Sequence, residues 1–437
     1  MKTNNTASNT VSNTTSRLYR TIWRWHFYAG LFCIPFVLSL SVTGAIYLFK
    51  PQIEAFADRS ENSLSVQVQR STAEQQIESA LATITDSSFS SYRLPPSETH
   101  AVVVTVAKHG QNFEVYVNPY TLDVLKTVES NGRLIKIVRE LHGELMLGNT
   151  GSILVELAGC WAIVLLVTGL YLWWPRNAKG MAGVLYPRLK TGSRQFWRDL
   201  HAVTGIWVSL LALFLLVTGL PWALVWGSAF NEIRSIGAEP ADHGWVISRS
   251  HGGHGANNSA RVELSETVLE NAIALNLAFP LKLSVDHQND GSWKLSSSHQ
   301  NRMLRADAWL APESGELLSL RDFEDKEVLD KAIGIGISAH EGHLFGWLNQ
   351  LLGLLVAIAL ITVSISGFIL WRSRKPANVL GAPPLLKNPV VGRTVVVITL
   401  ALAAFLPLLA ISLILLLVIE KGILSRFEGT RQWLGLA

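Results

Sequence analysis

Four of the twelve histidines in this 437-residue chain stand at related positions. His26-Phe27-Tyr28-Ala29-Gly30 with Val42-Thr43-Gly44 is matched, at one offset of 175 residues, by His201-Ala202-Val203-Thr204-Gly205 with Val217-Thr218-Gly219. His142, Gly148, Gly169 and Trp173 recur as His340, Gly346, Gly367 and Trp371 at an offset of 198. Imidazole is the commonest side-chain ligand for a transition metal. Two imidazoles on opposite sides of a porphyrin hold its iron, given an apolar slot for the ring and cations for the propionates. Gly30 and Gly205, one helical turn beyond His26 and His201 on the same face, remove bulk where a flat ring would lie. Arg24 and Arg198 are the propionate candidates. The spacing predicts two b-type haems, one on His26 and His201 and one on His142 and His340.

Other readings of these residues compete. His340-Glu341-Gly342-His343 offers two imidazoles three residues apart on one helical face, so His343 is an alternative outer ligand. The repeat favours His340, because Leu145 occupies the position equivalent to His343. Zinc also accepts imidazole and carboxylates such as Glu144 and Glu341, but no third ligand is fixed nearby and the spacing is not HExxH. His251 and His254, in a Gly-rich polar loop, read as solvated linker. The Thr-Gly pairs at 43–44, 168–169 and 218–219, with Ser366-Gly367, suit either close helix packing or room for a porphyrin.

The elements that would position these residues are membrane helices. The chain is 49% hydrophobic and 16% charged, and the apolar residues are concentrated in blocks at 26–49, 152–174, 202–226, 347–371 and 394–419. At about 1.5 Å per residue each is long enough for a hydrocarbon core of roughly 30 Å. The first block ends in Tyr47-Leu48-Phe49-Lys50-Pro51, with no small-residue cleavage site, and reads as a retained anchor. Arg17, Arg20 and Arg24 precede it; Arg176, Lys179, Arg188, Lys190, Arg194 and Arg198 follow the second block; Arg372, Arg374, Lys375, Lys387 and Arg393 follow the fourth. By the positive-inside rule these segments are expected in the cytoplasm and the two long segments outside. His26 and His201 then start parallel helices at one depth, and His142 and His340 share a level on the outer side. The net charge of +4 is accounted for by this distribution, so no nucleic-acid partner is implied. Cys33 and Cys160 lie in apolar blocks, which leaves the outer segments without a disulfide framework. Trp23, Trp25, Trp173, Trp174, Trp197, Trp222, Trp226 and Trp371 form an interfacial belt.

The expected fold is an integral membrane α-helical bundle, a duplicated four-helix core plus a fifth helix, with two small α+β modules outside. A disordered tail over 1–16 leads into a first span within 17–50, a module over 51–131, and an interfacial helix with the second span over 132–174. A loop over 175–200, a third span over 201–226 and a second module over 227–323 follow. An interfacial helix with the fourth span occupies 324–371, then a loop 372–393, a fifth span 394–419 and an outer tail 420–437. In the first module Ala73–Thr83 reads as helix, 101–107 and 112–117 as strands, and 115–125 as strand, turn, strand. In the second, 266–277 reads as helix and 281–285, 292–297 and 308–318 as strands.

On Trp25–Gly30, Leu141–Leu145, Asp199–Gly205, Ala339–His343 and the hairpins Tyr116–Leu125 and Trp309–Leu318, the chain from about 17 to 375 resembles the PepSY-associated transmembrane family, which includes iron-regulated inner-membrane proteins and ferrisiderophore reductases. The resemblance implies PepSY-like periplasmic modules, histidine-ligated haem and reduction of a ferric siderophore at a bacterial inner membrane. The fifth helix departs from the simplest four-helix pattern. Lacking a GxGxxG after a strand, the chain needs a cytoplasmic reductase or a quinol as electron donor. Two other functions fit the same residues: an envelope regulatory or binding protein without redox activity, and a siderophore or metal transporter component. Against transport, the middles of the second, third and fourth blocks hold no acid beyond Glu156, near the start of the second.

Overall fold

In hydrocarbon every backbone N–H and C=O must find a partner, so an apolar run folds as helix. The computed structural model describes residues 4–176, 180–236, 263–287, 291–383, 386 and 391–436, with side chains from residue 16 onward except Ser425. The first helices are α1 (Asn4–Tyr47), α2 (Lys50–Ala57) and α3 (Ala73–Thr83). Strands β1 (Ser88–Arg93), β2 (Val102–Lys108), β3 (Gln111–Val117) and β4 (Val124–Glu129) follow, then α4 (Leu134–Glu144), α5 (Gly148–Trp173), α6 (Ser193–Gly219) and α7 (Leu224–Ser235). Next come α8 (Glu266–Ala274), β5 (Leu281–Asp286), β6 (Ser292–Ser297), β7 (Asp307–Leu310) and β8 (Leu317–Arg321). The chain closes with α9 (Val328–His340), α10 (Trp347–Arg374), α11 (Arg393–Phe405), α12 (Pro407–Gly422) and α13 (Glu428–Leu434). It divides into a helical unit (Met1–Ala45, Glu140–Asp242, Leu352–Ala437) and a sheet-bearing unit (Ile46–Arg139, His243–Leu351).

Among the described residues four helical segments are long and apolar enough to cross a membrane: Ser16–Tyr47, Gly148–Trp173, Ser193–Trp222 and Trp347–Arg374. Two begin well upstream of the expected blocks, so His26 and His201 lie inside their helices, not at their first turns. The third ends sooner than expected. Pro221 has no N–H to give, Ala223 turns to extended backbone, and α7 starts afresh. Ala223 has no side-chain cap to offer, and buried Glu156 of α5 takes over, accepting from the backbone N–H groups of Val225 (2.8 Å) and Trp226 (3.0 Å).

The fifth span departs from expectation more sharply. α11 and α12 meet at 120°, with Leu406 driven to φ −119°, ψ 90° by Pro407 behind it. At 13 residues, α11 is about 20 Å long, short of a hydrocarbon core of roughly 30 Å. The chain then doubles back. Trp433 O accepts from Leu380 N, Gly435 O from Arg24 Nη2 (2.8 Å) and Leu434 O from the Tyr28 hydroxyl. The tail over 420–437, expected at the opposite end of the helices from Arg24, therefore packs at Arg24's end.

In the sheet-bearing unit Thr72 and Gln75 close a reciprocal capping box on α3, and Ser265 caps α8 by accepting from Val268 N. The Cβ alternation of the strands sends Val102, Val104, Val106, Val115, Val117, Leu281, Leu283 and Leu295 into one core with Ile77, Ala80, Val268 and Ala272 of these two helices. β1 and β5 pair through Tyr92 with Leu283 and Arg93 with Lys282. The two α+β segments, expected as separate modules, are thus halves of one antiparallel sheet of order β4-β3-β2-β1-β5-β6-β7-β8.

Candidate functional site

His26 of α1 and His201 of α6 face each other with ring centroids 6.4 Å apart and planes at 82°. Two imidazoles on one metal, each with a metal–nitrogen bond of about 2.0 Å and about 1.15 Å more to the centroid, would stand about 6.3 Å apart. The observed 6.4 Å is close to that figure.

Hydrogen bonds decide which nitrogen each ring presents. Thr168 Oγ1 lies 2.9 Å from His26 Nδ1, and its own hydrogen is given to Val164 O at 2.7 Å. It must accept from Nδ1–H. In the same way Thr43 Oγ1 donates to Ser39 O (2.7 Å) and accepts from His142 Nδ1 (2.9 Å). His201 Nδ1 donates to Val363 O at 2.9 Å, with Ser366 Oγ at 3.4 Å. All three rings therefore carry the proton on Nδ1 and keep the Nε2 lone pair, the arrangement of a metal-ligating histidine oriented by an outer partner.

The glycines that follow these hydroxyls take the imidazole edge. A Cβ at Gly169 would lie 3.2 Å from His26 Cε1, at Gly44 3.2 Å from His142 Cε1, and at Gly367 3.2 Å from His201 Cε1. The pairs at 43–44, 168–169 and 366–367 thus make room for an imidazole and hold it, a role that packing or porphyrin space alone did not suggest. Their recurrence at the histidine offsets was the available signal. At Gly205 a Cβ would meet no atom within 4 Å, and at Gly30 only Leu165 Cδ2 at 3.7 Å. The face beyond His201 is open, and beyond His26 it meets the Leu165 side chain at ordinary contact distance.

The remaining candidates fall out differently. Arg24 is buried, its guanidinium donating to Pro383 O, Gly435 O (2.8 Å) and the Tyr28 hydroxyl (3.0 Å), while Arg198 is exposed. Beside Arg198, buried Asp199 accepts two hydrogen bonds from the Arg188 guanidinium, at 2.6 and 2.8 Å, and one from its backbone N–H at 3.2 Å, which ties the loop before α6 to the turn that carries His201. Trp173 and Trp371 each donate to a carbonyl of the following loop, Val184 O (3.0 Å) and Leu380 O (2.9 Å). Lys179, His251, His254 and Lys387 lie outside the described residues. Among the described residues no group of three or more His, Cys, Asp or Glu comes together to hold a metal ion, whereas a porphyrin iron needs two axial ligands.

His340 is the last residue of α9 and is partly exposed. His343 does not share its helical face, contrary to expectation. Gly342 takes φ +80°, Gly342 N donates to Ala339 O (3.2 Å) and His343 N to Ser338 O (2.8 Å), a Schellman closure that swings the chain out of the helix before His343. Burial, with Lys50, His299 and Arg305 nearby, pushes the His343 imidazole down to about 4. A histidine so depressed stabilises the fold above its ordinary value near 6.5, and that contribution is lost as the pH falls toward 4, where the unfolded chain alone is protonated. The thermal midpoint in detergent is expected to decline across this window, and His343→Gln to flatten the decline. An unchanged pH profile in the variant would assign the decline to another group.

The chain matches the family described as the PepSY-associated TM region over residues 23–374. No curated protein matches it.

Proposed function

The chain belongs to the PepSY-associated TM region family, and from that premise we propose that it is a di-haem electron carrier of the bacterial inner membrane that reduces ferric siderophores on the periplasmic side. The observation that carries this reading is the pair His26 and His201, 6.4 Å apart with both Nδ1 atoms engaged. Their Nε2 atoms would be the axial ligands of one haem. The repeat assigns a second to His142 and His340, with His343 as the alternative. When bound, a bis-histidine haem accepts and gives up one electron.

The protein's part is to hold and shield. Thr168, Thr43 and the Val363 carbonyl fix the tautomer and the ring plane, and raise the basicity of the ligating nitrogen. Apolar helices exclude water. The repeat would set equivalent histidines toward both membrane faces, one pair for each haem. Arg17, Arg20 and Arg24 near the start of the first span set the N-terminus in the cytoplasm, so that electrons come from a cytoplasmic reductase or from a quinol in the membrane. Reduction frees iron because hard oxygen chelators grip ferric iron far more firmly than the softer ferrous ion.

The test is the visible spectrum of the detergent-purified protein from haem-replete cells. Sharp low-spin bands on reduction, at about two haems per chain, are expected. A colourless preparation would instead favour a regulatory role for the outer sheet.

A further inference from the structure

In the sheet-bearing unit a group of cations gathers where a single turn, Arg302–Leu304, meets α9 and the start of α2. Arg302 N donates to Ser338 Oγ at 2.9 Å, and a Cβ built on Gly334 would lie 3.9 Å from Arg302 Cβ and 3.1 Å from the Phe323 ring, so both segments rest on α9. Arg305 Nε donates to His299 O at 2.6 Å. Gln350 Nε2 donates to Leu48 O at 2.8 Å, which brings the first turn of α2, with Lys50, against the Gly342–His343 turn. Lys50, Arg302 and Arg305 are half-buried, and Lys326 is exposed three residues beyond Phe323.

The group is under mutual repulsion. Burial and the neighbouring Arg305 push Arg302 down to about 10, and burial, with Arg302 close by, lowers Lys326. The acidic groups facing the cluster are Glu341, Asp307 and Asp330, with the Tyr47 phenol, and Asp307 also pairs with Lys294 at 3.4 Å. Nε2 of His343, on the rim, is buried without a hydrogen-bond partner among the described residues.

We propose that Lys50, Arg302, Arg305 and Lys326, with His343, form the docking site for the substrate, a ferric chelate bearing negative charge on catecholate or carboxylate oxygens. This rests on the reductase reading. Anionic oxygens accept charge-assisted hydrogen bonds roughly twice as strong as neutral ones, and partial burial strengthens the attraction. Haem propionates offer the same chemistry, and the experiment separates them.

Equilibrium binding of iron(III) tris-catecholate and of neutral iron(III) tris-acetohydroxamate is measured on the oxidised full-length protein with no electron donor. Lys326→Gln is expected to weaken tris-catecholate binding about threefold, and Arg305→Gln with Lys326→Gln about tenfold, with added salt eroding the difference. The neutral chelate should bind alike to all. Lys326→Gln keeps the test open if Arg305→Gln disturbs the fold, since Lys326 is exposed. No loss, or equal loss for both chelates, overturns the proposal. So does loss of haem with chelate affinity intact, which would assign the cations to propionates. Charge-dependent binding by a protein that carries no haem would leave the docking site standing and remove the redox reading alone.

Discussion

Replacing His201 with alanine is expected to abolish one of two haem signals and leave the other in place. His26→Ala should lose the same signal, because on the proposed reading the two rings, 6.4 Å apart, would hold one iron between them. The double variant should lose no more than either single one. This non-additivity separates a shared ion from two independent structural histidines, whose losses would add. His142→Ala should remove the other signal. Thr168→Val tests the finer claim that the hydroxyl acts through the ring: His26 remains, but the acceptor that holds Nδ1–H at 2.9 Å is gone. Outer partners of this kind are worth roughly 10- to 100-fold in metal affinity, so the first haem should be present but easily lost on dilution. If single and double variants differ, or if His201→Ala keeps both signals, the pairing is wrong.

The sequence marked the histidines and the hydroxyls beside them but not the contacts themselves, and it left the Val363 carbonyl that holds His201 unmarked. The repeat selects the histidines and, separately, the Thr-Gly and Ser-Gly pairs. What brings Thr168 to His26 is the packing of α1 against α5 across 142 residues of chain, and no local pattern encodes it. Strands with a β-branched or apolar run, such as Val102–Lys108, were legible. β1, with the sequence Ser-Phe-Ser-Ser-Tyr-Arg, was not, because its serines have little strand preference and its place is secured from elsewhere. Tyr92 is fully buried there only because its hydroxyl donates to Gln76 Oε1 of α3 at 2.7 Å. Two departures have local causes that the chain does carry. Pro407 inside an apolar run breaks the fifth span, and Gly342 between two histidines ends α9 before the second. Hydropathy averaged over a window hides the first, and motif spacing hides the second.

Gly205→Leu is expected to expel the same haem that His201→Ala removes, while leaving the folded helices at least as stable as before. The two halves of this result pull in opposite directions, which makes the variant informative. Leucine exceeds glycine in helix propensity by about 1 kcal/mol, and a Cβ at position 205 would meet no protein atom within 4 Å, so the branch starts into open space. A merely structural α6 predicts a tolerated or stabilising change. Position 205 is one turn beyond His201 on the same face, where a macrocycle ligated by that ring would lie flat against the backbone, and an isobutyl group would occupy that space. Gly367→Leu provides the contrast. There the obstruction is protein: a Cβ would already be 3.2 Å from His201 Cε1 and 3.4 Å from Nδ1, so the imidazole must move whether or not anything is bound to it. Gly367→Leu should therefore lower both the thermal midpoint and the haem content, and Gly205→Leu the haem content alone. A Gly205→Leu protein that retains both haems would place the porphyrin elsewhere, even if His26 and His201 prove to be ligands.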